Sequence, residues 1–289
     1  MLHFITGKGG VGKSTIAAAF ALAAAARGAR VLAIELGDPA GLCRALRARP
    51  ASPGAIERAA GGVHVAYFDG AAAVAEYLTR KVHLGRFARP ILAHPLYNAF
   101  VAAAPGLREL VAIGKVRDEY ILQRRWDVVV VDAGASGHAL EHLRMPAAAA
   151  KTFSSGRVHR EASVNAELLR DPSLVAIHVV ATPEEMPLAE AAQTIETLRT
   201  LELAIGRVIV NRCVQPAPPD VDEALARVDD VVVADVLRRA RSWEQIQERG
   251  IAALQARLGL AVVRVPRLPI MEMNAQARAL AWPISELAA

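Results

Sequence analysis

The sequence predicts an α/β protein built on a single doubly wound, mainly parallel sheet with helices on both faces. Three observations carry that expectation. Short apolar, β-branched runs recur along the chain, among them Leu2 to Ile5, Ala29 to Ile34, Val128 to Val131, Leu174 to Ala181 and Val208 to Val210. Continuous apolar runs of this length suit strands covered on both faces. Segments of helical period separate them throughout, and strand–helix alternation is the order that yields parallel sheets. Several runs also end on a polar or acidic side chain, at the sheet edge where such folds place their chemistry.

The first element is the most specific. Leu2 to Ile5 leads into Gly7-Lys8-Gly9-Gly10-Val11-Gly12-Lys13-Ser14-Thr15, which opens into the alanine-rich run Ile16 to Ala26. Strand, glycine-rich turn and helix form the setting of a phosphate-binding P-loop. The glycines let successive backbone N–H groups wrap an anion, and the helix N-terminus adds partial positive charge. Lys13 supplies a full charge at the β- and γ-phosphates, and the Ser14 hydroxyl is a candidate Mg²⁺ ligand. The P-loop NTPase fold and an ATP–Mg²⁺ complex follow as expectations.

The next strand candidate, Ala29 to Ile34, runs into Glu35-Leu36-Gly37-Asp38-Pro39-Ala40-Gly41-Leu42. Residues 43 to 60 read as a polar helix and turn broken by Pro50, Pro53 and Gly54, and Val63 to Phe68 as a strand. From about 71 to 123 the pattern is helical but interrupted by Pro90, Pro95 and Pro105. Phe87, Ile91, Leu92, Leu96, Tyr97, Phe100 and Val101 supply its apolar faces. Short packing helices or a lid and partner surface both suit it.

Val128 to Val131 ends on Asp132, the position of a Walker B aspartate holding the Mg²⁺ water shell. The small residues from Ala133 to His138 suit a mobile switch loop. After the strand Leu174 to Ala181, Thr182 is placed as a helix N-cap with Pro183 in the first turn and Glu185 completing a capping box, the helix running to about Leu203. Val208 to Asn211 is a strand, Asp220 to Leu258 one or two surface helices, and Ala261 to Val265 the last strand before Pro266. A short helix containing Pro283 ends the chain.

Composition bounds the rest. With 289 residues the chain is expected to form one P-loop domain over 1–289, with a helical subregion at about 71–123. The net charge is +5, but 29 of the 34 basic residues are arginines scattered along the chain, so no nucleic-acid partner is expected. Met1-Leu2-His3 leads directly into the first strand without a basic leader, and Ile16 to Ala26 is too short to span a bilayer. A cytoplasmic protein with no transmembrane segment is the expectation. Cys43 and Cys213 are the two cysteines and form no Cys-x-x-Cys clip.

Lys8, a second lysine at the start of the loop, makes the motif resemble the deviant Walker A ATPases. The resemblance becomes specific through the order of landmarks: Asp38-Pro39-Ala40, Asp132 to Gly137-His138, Leu143-Arg144-Met145-Pro146, Pro183-Glu184-Glu185-Met186-Pro187, and Val210-Asn211-Arg212. Over nearly the whole chain this resembles the arsenical-pump and tail-anchored-protein targeting ATPase family.

The resemblance implies that Gly7, Gly9, Gly10, Val11, Gly12, Lys13, Ser14 and Thr15 hold ATP, with Asn211 and Pro266 near the base. It implies that Ser14 and Asp132 serve Mg²⁺, and that Lys8 reaches across a homodimer or a heterodimer with a related ATPase. The hydrolytic acid is Asp38 if the Asp-Pro dipeptide sets the register. Counting from the strand brings Glu35 to the first acidic position and Gly37 to that of the hydrolytic aspartate.

Two departures restrict the function. There is no cluster of cysteines for metalloid pumping, and neither a zinc-binding cysteine pair nor a methionine-rich insert for tail-anchored clients. The leading expectation is an Mg²⁺-dependent ATPase, a nucleotide-gated dimer acting on an unidentified protein client, membrane-associated clients included. The alternatives are a low-turnover ATP-binding regulatory subunit paired with a related ATPase, and a partitioning ATPase of the MinD or ParA type.

Overall fold

The computed structural model describes residues 1–37, 40–81, 106–119, 124–218, 220–270 and 272–284. The expected apolar faces from Phe87 to Val101, and Asp38 itself, lie outside the described residues.

Eight strands form one sheet among the described residues: β1 (Leu2–Gly7), β2 (Val31–Leu36), β3 (Glu57–Arg58), β4 (His64–Phe68), β5 (Val128–Ala135), β6 (Val175–Ala181), β7 (Ile205–Cys213) and β8 (Val262–Pro266). Their spatial order is β3-β4-β2-β5-β1-β6-β7-β8. Every pairing is parallel except β3 with β4, an antiparallel edge that the sequence pattern did not announce. Two residues carry too little periodicity to be read as a strand. The fold class is therefore the expected α/β doubly wound sheet.

The described helices are α1 (Lys13–Ala26), α2 (Leu42–Ala45), α3 (Gly70–Lys81), α4 (Leu107–Arg117), α5 (Ser136–Thr152), α6 (Gly156–Arg170), α7 (Glu185–Thr200), α8 (Val221–Ala226), α9 (Val231–Leu258) and α10 (Met273–Ile284). Alternation along the strands splits the core into two layers. Phe4, Ile34, Val131 and Val179 face one apolar cluster, which Leu143, Leu169, Leu188 and Ile251 close from α5, α6, α7 and α9. Ile5, Ala33, Val130 and Val180 face the other, against α1, α2 and α10. The alanines of α1 are buried from Ala17 to Ala24, and their small side chains let the helix sit close to both the sheet and α10.

Three local expectations are corrected. Residues 133 to 138 form no free loop: β5 continues to Ala135 and α5 begins at Ser136. Thr182 is buried and is not the N-cap of α7. Glu184 occupies that position, no side chain caps it, and the helix ends at Thr200. The polar stretch 43 to 60 holds a single helical turn, α2, before bending back to form β3.

Candidate functional site

The site lies at the carboxyl ends of the central strands. In the sheet register Asp132 sits beside Ile5 on one side and Glu35 on the other. The chain leaves β1 through Gly7 into the glycine loop, so the loop turns over these two carboxylates. Gly12 precedes α1 with a left-handed backbone (φ +93°), and a Cβ there would lie 2.4 Å from Asn211 Nδ2. The loop is thereby fitted tightly onto β7.

Lys13 curls back over its own loop and donates to the Lys8 carbonyl at 2.9 Å. Its ammonium pKa is lowered by burial, a shift that the Asp132 carboxylate opposes. Asp132 is buried, and burial raises its pKa. A hydrogen bond from Ser14 pulls the other way, and the nearby Glu35 charge adds to the rise. Ser14, Lys13, Asp132 and Glu35 thus come together from α1, β5 and β2.

Glu35 is equally buried, and its carboxylate is already engaged. Oε1 accepts from the Gly41 N–H at 2.6 Å and Oε2 from the Cys43 N–H at 2.9 Å, so Glu35 holds the start of α2. A Cβ at Gly41 would lie 2.3 Å from Ser14 Oγ and 3.0 Å from Glu35 Oε1. The returning loop therefore packs directly on the P-loop serine. Sequence reasoning missed Gly41, although a glycine just after Asp-Pro-Ala was the available signal.

Asn211 closes the opposite side. Its Nδ2 donates to the Val11 carbonyl at 2.8 Å, and its Oδ1 accepts from the Arg212 N–H at 2.9 Å. One amide N–H and one lone pair remain for another partner. Arg212 has a left-handed backbone (φ +61°) where the β7–β8 register shifts, a strained turn of the kind that clusters at binding sites. Asn211 and Pro266 share a cleft of about 350 Å³ with Gly12, Thr15, Glu184 and Gln276.

Lys8 is held apart from this group. Its ammonium forms an ion pair with Glu190 of α7 at 2.5 Å, both side chains about one-third exposed. Glu190 carried no motif and could not be singled out from the sequence. Gly9 and Gly10 are exposed at the loop's mouth. His138 is an exposed side chain in the first turn of α5, away from any acid–base role in the cluster.

Comparison with known proteins places the chain in a family. The family model of the anion-transporting ATPases matches residues 1–162 and 157–230. The chain is 33% identical over 246 residues to ATPase BagA of Mycobacterium tuberculosis, covering 82% of this chain and 72% of that one. It is 26% identical to an arsenical pump-driving ATPase of Escherichia coli, covering 94% of this chain and 46% of that one. A similar match, 27% identical, is the arsenical pump-driving ATPase of Acidiphilium multivorum, with 78% and 41% covered. The chain belongs to the anion-transporting ATPase family.

Proposed function

We propose that the protein is an Mg²⁺-dependent ATPase whose nucleotide state opens and closes a pair of subunits and so changes its hold on a client protein. The observation that carries this reading is the meeting of Lys13, Ser14, Asp132 and Glu35 beneath the glycine loop. On this reading Gly7, Gly9, Gly10, Val11, Gly12 and Thr15 line the phosphate site, and Lys13 leaves the Lys8 carbonyl for the phosphates. Asn211 and Pro266 flank the base. The donor set fits magnesium: a hydroxyl and a carboxylate are hard oxygen ligands, and a divalent cation would offset the buried charge of Asp132 and of Glu35 on the neighbouring strand. Ser14 would hold it directly and Asp132 through water. When bound, the ion supplies neutralisation of charge on the β- and γ-phosphates.

The test is ATP hydrolysis with and without Mg²⁺ in Asp132→Asn. We expect nucleotide binding to persist while Mg²⁺-dependent turnover falls roughly 100-fold, the scale of losing one transition-state charge contact. Unchanged Mg²⁺ dependence removes Asp132 from the metal site.

A second reading, a low-turnover ATP-binding subunit, is favoured by the engagement of Glu35 with α2. The left-handed backbone of Gly37 (φ +102°) bears on it as well. An aspartate at Gly37 would be strained, which favours the register with Asp38 as hydrolytic acid over the one that leaves glycine in its place.

Metalloid transport, named for two relatives, is not proposed here. Cys43 and Cys213 lie in different core layers, and burial first of all pushes their thiols up to about 12 and about 11. Soft-metal capture needs converging thiolates.

A further inference from the structure

The longest helix among the described residues, α9, carries an apolar stripe whose amino-terminal part is open to solvent. Val233, Val236, Ala240, Trp243, Gln247, Ile251, Leu254 and Leu258 follow one another at steps of three and four residues, the spacing of one helix face. The carboxyl-terminal members of the stripe are core. Ile251, Leu254 and Leu258 are buried against the layer that includes Leu188 and Ile195 of α7. At Gln247 and Glu244 the face changes partner. Gln247 hydrogen-bonds the Val214 N–H and carbonyl, and Glu244 accepts from the Ala217 N–H, so both clamp the loop that follows β7.

Beyond that clamp Ala234 is buried and Arg241 is bonded to Asp222 of α8, while the apolar stripe beside them is open to solvent. Val236 is 60% exposed, Trp243 61% and Val232 73%, with Val231, Val233, Leu237 and Ile246 exposed beside them. The segment is nonetheless a built helix. Asp230 caps it by accepting from the Val232 and Val233 N–H groups. From Val231 to Gln247 it extends roughly 25 Å at 1.5 Å per residue. A helix of this length with an open apolar face is a surface made to be covered.

The geometry points to a second copy of this chain as the cover, through an antiparallel pairing of the two α9 overhangs about a two-fold axis. Charge complementarity supports this choice. Asp229, Asp230 and Asp235 stand at the amino-terminal end of the overhang, and Arg238, Arg239 and Arg241 follow. Reversing one helix against another near Leu237 sets Asp235 of each copy beside Arg239 of the other, so a single patch is complementary to itself, as a two-fold interface requires. Asp235 and Arg239 already pair within one helix at 2.8 Å, and the crossed arrangement extends that pair into a four-charge network. With Glu244 included, four acids against three arginines leave the segment slightly acidic, which argues against an anionic lipid surface.

The inference rests on the proposed two-subunit reading and adds to it a contact that needs no nucleotide. The α9 pairing holds two copies together while ATP opens and closes the P-loop faces.

Light scattering on the nucleotide-free full chain at micromolar concentration tests it, alongside Val236→Asp and the charge-reversed Arg239→Asp. The wild type should run at twice the 30.7 kDa chain mass. Val236→Asp should run at the single-chain mass, with its helix content and nucleotide affinity unchanged because the side chain lies outside the core of the single chain, and with a thermal midpoint lowered only by loss of the partner. Arg239→Asp should weaken the dimer about tenfold, and adding Asp235→Arg to it should restore pairing. Lys8→Ala should leave this nucleotide-free dimer intact, which separates failure of the helix contact from failure of the ATP-driven closure. A wild type at single-chain mass overturns the proposal. If Trp243 fluorescence in that monomer shifts to the blue on anionic phosphatidylglycerol vesicles, the face is a membrane surface. If Trp243 is shielded from acrylamide, a segment of the chain itself covers the face. A Val236→Asp chain that remains dimeric also overturns it.

Discussion

The loops that follow β1 and β2 sit side by side at one sheet edge and are built in opposite ways. The β1 loop is fixed by its backbone: Gly12 packs on Asn211, Asn211 is bonded to Val11, and Lys13 is bonded to the loop itself. In the β2 loop, among the described residues, the Glu35 carboxylate grips the Gly41 and Cys43 N–H groups, the Gly37 N–H reaches the Phe68 carbonyl and the Arg44 guanidinium the Ala40 carbonyl. Backbone-built sites are rigid and tolerate few substitutions, whereas a loop that depends on side-chain acceptors is loosened by a single substitution. Binding and turnover should therefore separate genetically.

The largest expected effect is on the β1 side. Lys13→Ala should weaken ATP binding by at least about 100-fold, because no other ammonium is positioned to replace a charge-assisted contact to phosphate. Calorimetric titration checks it, and wild-type affinity in the mutant would remove the P-loop reading. The β2 side sharpens the contrast. Glu35→Ala leaves two N–H groups without their acceptor and should lower stability by about 2 kcal/mol, read as a fall in the urea midpoint. Asp38→Asn should leave that midpoint alone and lower hydrolysis. The reverse pattern would make Glu35 the hydrolytic acid.

A separate effect, read against pH, comes from the middle of the sheet, where the buried His3 Nδ1 and His178 Nε2 meet at 3.1 Å against Phe20. Burial first of all lowers both pKa values from 6.5, to about 3 for His3 and about 4 for His178. The unfolded chain therefore binds more protons than the folded one over this window. The pair's contribution to stability is complete above pH 6.5 and is lost as pH falls from there through about 4 to 3. Unfolding free energies measured from pH 7 to pH 4 should show that decline, and His3→Phe with His178→Leu should flatten it. An unchanged slope in the double variant would place the acid sensitivity elsewhere.

Much of the sheet was legible because buried parallel strands are continuous apolar runs, and Val128 to Val131 or Val208 to Val210 leave little choice. Lys13, Ser14 and Asp132 were legible because phosphate and magnesium chemistry require those residue types at those spacings. What escaped depended on long-range contacts. Glu190 lies 182 positions from Lys8 and meets it only through the packing of α7 beside β1. The two-residue β3 exists because the chain returns to the β4 edge, which local pattern does not encode. Thr182 fits a capping box by sequence, yet β6 runs up to Ala181 and draws it into the buried strand end. In that position tertiary packing outweighs local capping.

The central claim, that each firing site is shared between two chains, rests on Lys8. Its ion pair with Glu190 is partly exposed and worth little against solvent, so exchange toward a facing phosphate is not held back by it. Steady-state ATP hydrolysis by a mixture of Lys8→Ala and Lys13→Ala chains tests the claim most directly. Each variant alone should be inactive. In the mixed dimer the Lys8→Ala chain keeps an intact P-loop and receives Lys8 from its Lys13→Ala partner, so one composite site is whole. The account predicts that hydrolysis reappears on mixing, approaching one quarter of wild-type turnover per total chain when pairing is random and the composite site fires alone. Full activity in Lys8→Ala on its own, or a mixture as inactive as its parts despite demonstrated exchange of subunits, would contradict it.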